Sequence, residues 1–357
     1  VQPSRPAVAV SKQSTMPEGT RSKATPSKGP PRAVLALLGA LVLLVGGSIG
    51  LVVAAMRQGA GKTAGAGGAP GGPGTASAGG VQTSAQAATE ALETAEKAFR
   101  EGDDQRAVTL LSRAAAEHPT DQRVRVLYAQ VLSVLKRADE AYAQAEAAVA
   151  VGPGEVAPLQ ALAGTLAHQA GRFDRAVEHF ASAQRLEPTE PRHPLYLAMA
   201  QVRAGDTTAA QASLLRVIKM NDAIAEAWGT LAELQLAEGS AEAAAGQAKR
   251  ACELQPGVTK WTVVHARALK RLARPEEAAA LLTALSPAER ATGPVLRALE
   301  ECFGLLSRPR DAAEAYAAAA ELAENQPPPN DAAAYRAKAA EWFRRAGDEA
   351  AAKRYGG

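Results

Sequence analysis

Residues 205–244 read GDTTAAQASLLRVIKMNDAIAEAWGTLAELQLAEGSAEAA. Apolar residues recur in it at three- and four-residue spacing, most plainly in LAELQL at 231–236, and that period marks amphipathic helix. No run alternates β-branched and polar residues as a strand would. Gly205 opens the stretch and Gly239 follows 34 residues later; an alanine comes five residues after each glycine, at Ala210 and Ala244. One such interval holds two helices and two turns.

The same ladder extends in both directions. Alanines stand at 107, 141, 176, 210, 244, 278 and 312, at intervals of 34, 35, 34, 34, 34 and 34 residues. Five residues before each lies a turn position: Gly102, Lys136, Gly171, Gly205, Gly239, Ala273 and Ser307. Twelve residues after the first five lie Pro119, Pro153, Pro188, Asp222 and Pro256, and Pro275 and Pro309 repeat the period near the end. A second helical segment, LYAQVLSVL at 127–135, carries the same three-four pattern. Units of this kind cannot bury an apolar face alone, so stacking must supply the core.

A 34-residue period with two helices per unit resembles the tetratricopeptide repeat (TPR) family over roughly residues 88–324. The resemblance asks for small residues where paired helices touch. Ala129, Gly164, Ala198, Ala232 and Ala266 meet this in the first helix of each unit, and Ala114, Ala148, Ala183 and Ala251 in the second. Trp228, Leu231, Phe180 and Tyr142 are then expected to fill the layers between. Three features depart from the pattern. Ala91 and Thr94 stand where Trp and Leu are usual, Glu300 stands where a small residue belongs, and PGEVAP at 153–158 carries one extra residue. The resemblance implies an all-α, right-handed TPR superhelix of about seven helix-turn-helix repeats over residues 85–324. Residues 325–357 are expected to cap it, with NQPPPND as a stiff connector and Trp342 and Phe343 covering the last repeat.

The family resemblance also implies a binding groove lined by the first helix of each repeat. The inward positions map onto Arg192, Met199, Arg203, Glu226, Glu233, Lys260, Arg267 and Lys270, with Leu236 beside them. Met199 and Leu236 are expected to offer apolar contact, and Arg267 a forked donor for a carboxylate. The groove would take a protein or peptide partner in extended or helical form. It lacks groove asparagines, since Asn221, Asn325 and Asn330 fall in loops or connectors, so it does not match the carboxylate clamp of chaperone adaptors.

The N-terminal quarter is of another kind. Residues 33–56 carry no charge, and a helix of that length spans about 36 Å, enough to cross a hydrocarbon core of roughly 30 Å. The 32-residue head before it is too long for a cleaved signal peptide. Six basic residues precede the run (Arg5, Lys12, Arg21, Lys23, Lys28 and Arg32) and two follow closely (Arg57 and Lys62), which places the N-terminus on the cytoplasmic side. The expected organisation is a disordered basic tail over 1–32, a single transmembrane helix over 33–56, a flexible Gly/Ala/Pro linker over 57–84, and a repeat domain outside the cytoplasm. In a bacterium with two membranes that means the inner membrane and periplasm. Gly46 and Gly50 form a G-x-x-x-G that offers a weak case for self-association. The stretch MRQGAGKTAG at 56–65 ends like a phosphate-binding loop, but Met56 replaces the first glycine and neither a strand nor a helix flanks it.

Chemistry is not signalled. The net charge of +3 divides into +7 over residues 1–62 and −4 over the rest, so the large domain is mildly acidic and nucleic acid is not an expected partner. His118, His168, His179, His193 and His265 fit no metal-ligand spacing, and no cofactor is expected. Cys252 and Cys302 lie about a repeat apart, too far for a disulfide, and read as small buried residues. The expected function is a non-enzymatic, membrane-anchored scaffold for protein–protein contacts in a bacterial envelope, secretion, pilus or motility complex. A non-catalytic subunit of an envelope enzyme system, or a cytoplasm-facing adaptor of reversed topology, is the alternative.

Overall fold

The computed structural model describes residues 78–152, 156–325 and 331–356. The basic tail 1–32, the apolar run 33–56 with Gly46 and Gly50, and the linker as far as residue 77 lie outside them. Among the described residues there are 17 helices and no strand, and none of these helices is long and apolar enough to cross a membrane.

The helices fall into eight antiparallel pairs. They are α1 (Ala78–Glu101) with α2 (Asp104–Glu117), α3 (Gln122–Val134) with α4 (Ala138–Val151), and α5 (Ala157–Gln169) with α6 (Phe173–Leu186). Next come α7 (Arg192–Ala204) with α8 (Thr207–Met220), and α9 (Ala225–Ala237) with α10 (Ala241–Leu254). Then α11 (Thr259–Arg271) pairs with α12 (Pro275–Thr283), and the single turn α13 (Pro287–Arg290) follows. Last are α14 (Gly293–Leu305) with α15 (Pro309–Glu324), and α16 (Ala332–Arg345) with α17 (Glu349–Gly356). The first seven residues of α1 belong to the stretch read as linker.

One turn design repeats in every pair. The residue at the turn has positive φ: Gly102, Lys136, Gly171, Gly205, Gly239, Ala273, Ser307 and Gly347. The next residue's N–H reaches back five residues to a helix carbonyl, as in Asp103 to Ala98 (3.0 Å), Arg172 to Ala167 (2.8 Å), Asp206 to Gln201 (2.9 Å) and Asp348 to Phe343 (2.9 Å). This backbone closure satisfies carbonyls that the helix end leaves open. In three of the turns an aspartate then caps the second helix, with Asp103, Asp206 and Asp348 accepting from the N–H groups of Arg106, Ala209 and Ala351 at 3.0–3.1 Å. At Lys136, Ala273 and Ser307 the same left-handed geometry holds a side chain, at roughly 1–2 kcal/mol of strain each.

The eighth pair lies within residues 325–357, read from the sequence as caps, and carries the repeat's own turn, with Trp342 and Phe343 buried as expected. Gly347 and Ala352 reproduce the turn and the alanine of the ladder, but 40 residues after Ser307 and Ala312 rather than 34. The proline-rich connector accounts for the excess.

The eight ladder alanines, from Ala107 to Ala352, are at most 1% exposed. The small residues expected at the crossings are buried too, and at Gly164 among them, as at Gly229, which the sequence did not single out, a ring is pressed onto the backbone. A Cβ on Gly164 would lie 3.0 Å from Phe180, and one on Gly229 would lie 2.3 Å from Trp261. Trp261, 3% exposed, therefore fills the layer that the sequence assigned to Trp228. Trp228 is only half-buried, its indole N–H donating to the Asp222 carbonyl at 2.8 Å. Glu300 is kept by hydrogen bonds instead of smallness: Tyr316 Oη (2.7 Å), Trp342 Nε1 (2.9 Å) and Lys338 Nζ (3.3 Å) all donate to its carboxylate, joining α14 to α15 and α16. Burial opposes its ionisation, yet these donors hold its pKa below the ordinary value.

Both cysteines are free thiols. Cys302 is buried as expected, whereas Cys252 is half-buried, its Sγ 3.8 Å from Thr262 Oγ1 on the next repeat.

Candidate protein-binding site

The first helices of successive repeats lie side by side, and side chains tie them together. Arg123 on α3 donates to Thr89 on α1 (3.4 Å), and Ser133 on α3 donates to Gln169 on α5 (2.8 Å). Further along, Lys260 on α11 pairs with Glu233 on α9 at 2.9 Å. Lys270 on α11 pairs with Glu301 on α14, and the Arg271 guanidinium donates to the Leu236 carbonyl. This face is where the nine groove residues were placed, and the structure sorts them.

Glu233 and Lys260 are brought together as an ion pair that joins the fifth repeat to the sixth. Lys260 also lies over the Trp261 ring at 4.6 Å. Arg192 turns back to Glu190, 2.8 Å away, and that bond holds the Glu190 carboxyl below its usual pKa. Arg203 lies over the Phe173 ring at 4.9 Å. Beside it, burial first and the Arg203 charge second push the His168 pKa down. Met199 packs partly buried against the core shared by α7, α8 and α9. Leu236 corrects the sequence reading: it is 4% exposed and packs against Val264 and Ala268, so it belongs to the core and offers a partner nothing. Its periodicity fits either face; only the neighbouring helix decides which.

Glu226 and Arg267 are exposed and have no hydrogen-bond or ion-pair partner among the described residues. Arg297, on α14 of the next repeat, shares this condition. The sequence reading missed Arg297, and its groove positions stopped at the sixth repeat. Continuing the 34-residue period from Lys260, Arg267 and Lys270 reaches Pro294, Glu301 and Gly304 and passes over Arg297, which only its lack of partners brings out. Two forked donors thus stand unspent on successive first helices, in a face whose other cations are mostly engaged. Such guanidinium groups match planar carboxylates in a bidentate way.

A polar cluster holds the second helices of repeats two and three. His179, 6% exposed, sits with Nδ1 2.8 Å from Gln160 Oε1 and Nε2 2.8 Å from Glu146 Oε1. Arg175 donates to Glu146 at 2.9 Å and to Tyr142 at 3.2 Å, and the Tyr142 hydroxyl donates to Glu146 as well. Burial opposes ionisation of Glu146, but the donors outweigh it and hold its pKa at about 2. Every member is engaged, so this is a structural network. Among the described residues no three His, Cys, Asp or Glu side chains gather as metal ligands.

Comparison with known proteins places this arrangement. A family model described as Tetratricopeptide repeat matches residues 98–166, from the end of α1 through most of α5. A tetratricopeptide repeat protein from Parabacteroides merdae superposes on 68% of this chain and 95% of its own, with a TM-score of 0.51 at 14% identity. The fold is that of a TPR superhelix. Solved structures that align less closely include PilW, a type IV pilus biogenesis factor (18% identity, 60% of this chain and 99% of that one, TM-score 0.49). Another is YrrB, a TPR protein with an unusual peptide-binding site (16% identity, 51% and 94%, TM-score 0.45). The search of curated proteins found no match. TPR proteins bind other proteins and peptides and are typically non-catalytic.

Proposed function

We propose that this protein is a non-catalytic scaffold that captures a partner protein on the first-helix face of its TPR superhelix, and that residues 33–56 tether it to a membrane. The observation that carries the reading is the pair of exposed, unpaired arginines, Arg267 and Arg297, on α11 and α14. The partner is an extended or helical segment whose carboxylates these guanidinium forks accept, with Glu226 available for a donor at the other side. The uncharged run and the excess of basic residues before it support a single-pass anchor with the repeats beyond the cytoplasm, in keeping with a role in envelope, secretion, pilus or motility assemblies.

Arg267→Glu is the variant of choice for a capture assay. Lys270→Glu would set two acids against each other, because Lys270 already pairs with Glu301, and would confound capture with stability. Arg267→Glu should abolish partner capture with helicity unchanged. Full capture by the folded variant would move the site off this face. Fusion of a reporter active only in the periplasm after Gly357 tests the topology; activity from a cytoplasmic reporter alone would reverse it.

A further inference from the structure

His265 occupies a place that the repeat reserves for apolar side chains. The residues one or more periods away are Tyr128, Ala163, Leu197, Leu231 and Leu299, and all are buried. His265 is half-buried, and neither of its ring nitrogens has a hydrogen-bond partner among the described residues. It forms part of the floor of a cavity of about 610 Å³ between α10 and α12, the second helices of repeats five and six. That is a pocket-sized volume. The cavity exists because its walls are small. Ala245, Gly246, Ala280 and Ala284 line it, and a Cβ built on Gly246 would meet nothing within 4 Å.

The charged groups facing His265 are Glu242 and Lys249 from α10 and Arg274 and Glu277 from α12. Arg274 and Glu277 neutralise each other through two bonds of 2.6 and 2.7 Å. Lys249 and Glu242 are exposed and unpaired. Burial pushes the His265 pKa down, and Lys249 and Arg274 push it further, against a smaller opposing effect of Glu277. Burial and these cations favour the neutral imidazole, which holds one N–H donor ready, with the Lys249 ammonium beside it as an unspent charge.

We propose that the α10–α12 cavity is a second docking site, distinct from the first-helix face, that seats a helix of a partner protein and takes one of its acidic side chains between His265 and Lys249. Small walls allow the close approach of a helix backbone, and the carboxylate supplies the acceptor that His265 and the charge that Lys249 lack. Linkage then requires binding to tighten as pH falls through the titration of His265, since the bound carboxylate favours the imidazolium.

The test follows the His265 Cε1–H resonance of the full chain by NMR while three probes are added. They are an alanine-based helical peptide with one central glutamate, the same peptide with glutamine, and acetate. The glutamate peptide should move the resonance saturably and shift its titration to higher pH. The glutamine peptide should bind at least about tenfold more weakly, as expected for loss of a charge-assisted bond. Lys249→Gln should weaken the glutamate peptide similarly, Gly246→Leu should block it from the exposed helix surface, and Arg267→Glu should leave it unchanged. Equal responses to glutamate and glutamine, no response of His265, or indifference to Lys249→Gln would overturn the proposal. Acetate binding as tightly as the peptide would overturn the helix-docking part and leave a small-carboxylate site.

Discussion

Two glycines in the fifth repeat should respond to the same substitution with opposite sign. Gly229 in α9 and Gly246 in α10 are both helical, and in a helix interior alanine is favoured over glycine by about 0.8–1.0 kcal/mol. At Gly246 that gain stands alone, because an added Cβ meets nothing within 4 Å. At Gly229 the Cβ would lie 2.3, 2.5 and 2.5 Å from three atoms of the Trp261 ring. That ring is 3% exposed and has nowhere open to move. Overpacking of this kind costs about 1–3 kcal/mol, which cancels or exceeds the propensity gain. Gly246→Ala should therefore raise the melting temperature and Gly229→Ala should leave it unchanged or lower it. The gap of about 1–3 kcal/mol corresponds to several degrees, at roughly 2–4 °C per kcal/mol for a domain of this size. Thermal unfolding of the two purified variants, followed by helical circular dichroism, measures it. If Gly229→Ala melts as high as Gly246→Ala, Trp261 does not lie over Gly229 and the packing of repeats five and six is not as described.

Other perturbations test other parts of the fold. Lys136→Gly, Ala273→Gly and Ser307→Gly remove left-handed strain at turns and should each stabilise by roughly 1 kcal/mol in denaturant titrations; losses at all three would contradict the turn geometry. Ala210→Leu or Ala244→Leu at sites 0% exposed should overpack a crossing and cost about 1–3 kcal/mol, and an unchanged melting temperature for both would show a misplaced register. The Glu146 network predicts a pH dependence. Its carboxyl titrates near 2 when folded against an ordinary value of 4.5, so its contribution is whole above about pH 4.5 and is lost as pH falls toward 2. Glu146→Gln should flatten stability across that window, and an identical acid profile in the variant would remove Glu146 from the account.

The ladder of turns and alanines was legible because it is written in residue type at fixed spacing. Each alanine must fit a crossing too tight for any larger side chain, so its period survives in the sequence. At Lys136, Ala273 and Ser307 the residue type conceals the left-handed backbone, and only the period points to it. The eighth repeat escaped because the proline-rich connector stretches its interval to 40 residues. Leu236 was misplaced because an apolar residue on a repeat helix can face a neighbour or a groove, and sequence spacing does not separate the two. Glu300 looked like a defect because its three donors come from α15 and α16, residues 16 to 42 positions away. Arg297 and His265 became visible only once the partners of every other charge and the walls of the cavity were known.

The central claim, capture of a partner on the first-helix face, is tested most directly by site-specific photocrosslinking in intact cells. A photoreactive residue at Arg267, Arg297 or Glu226 should crosslink to a shared partner, whereas one at Leu215, 55% exposed on the second helix α8, should not. Introducing Arg267→Glu should abolish the crosslink made from Arg297. Crosslinks to a partner from Leu215 and none from the three first-helix positions would contradict the account.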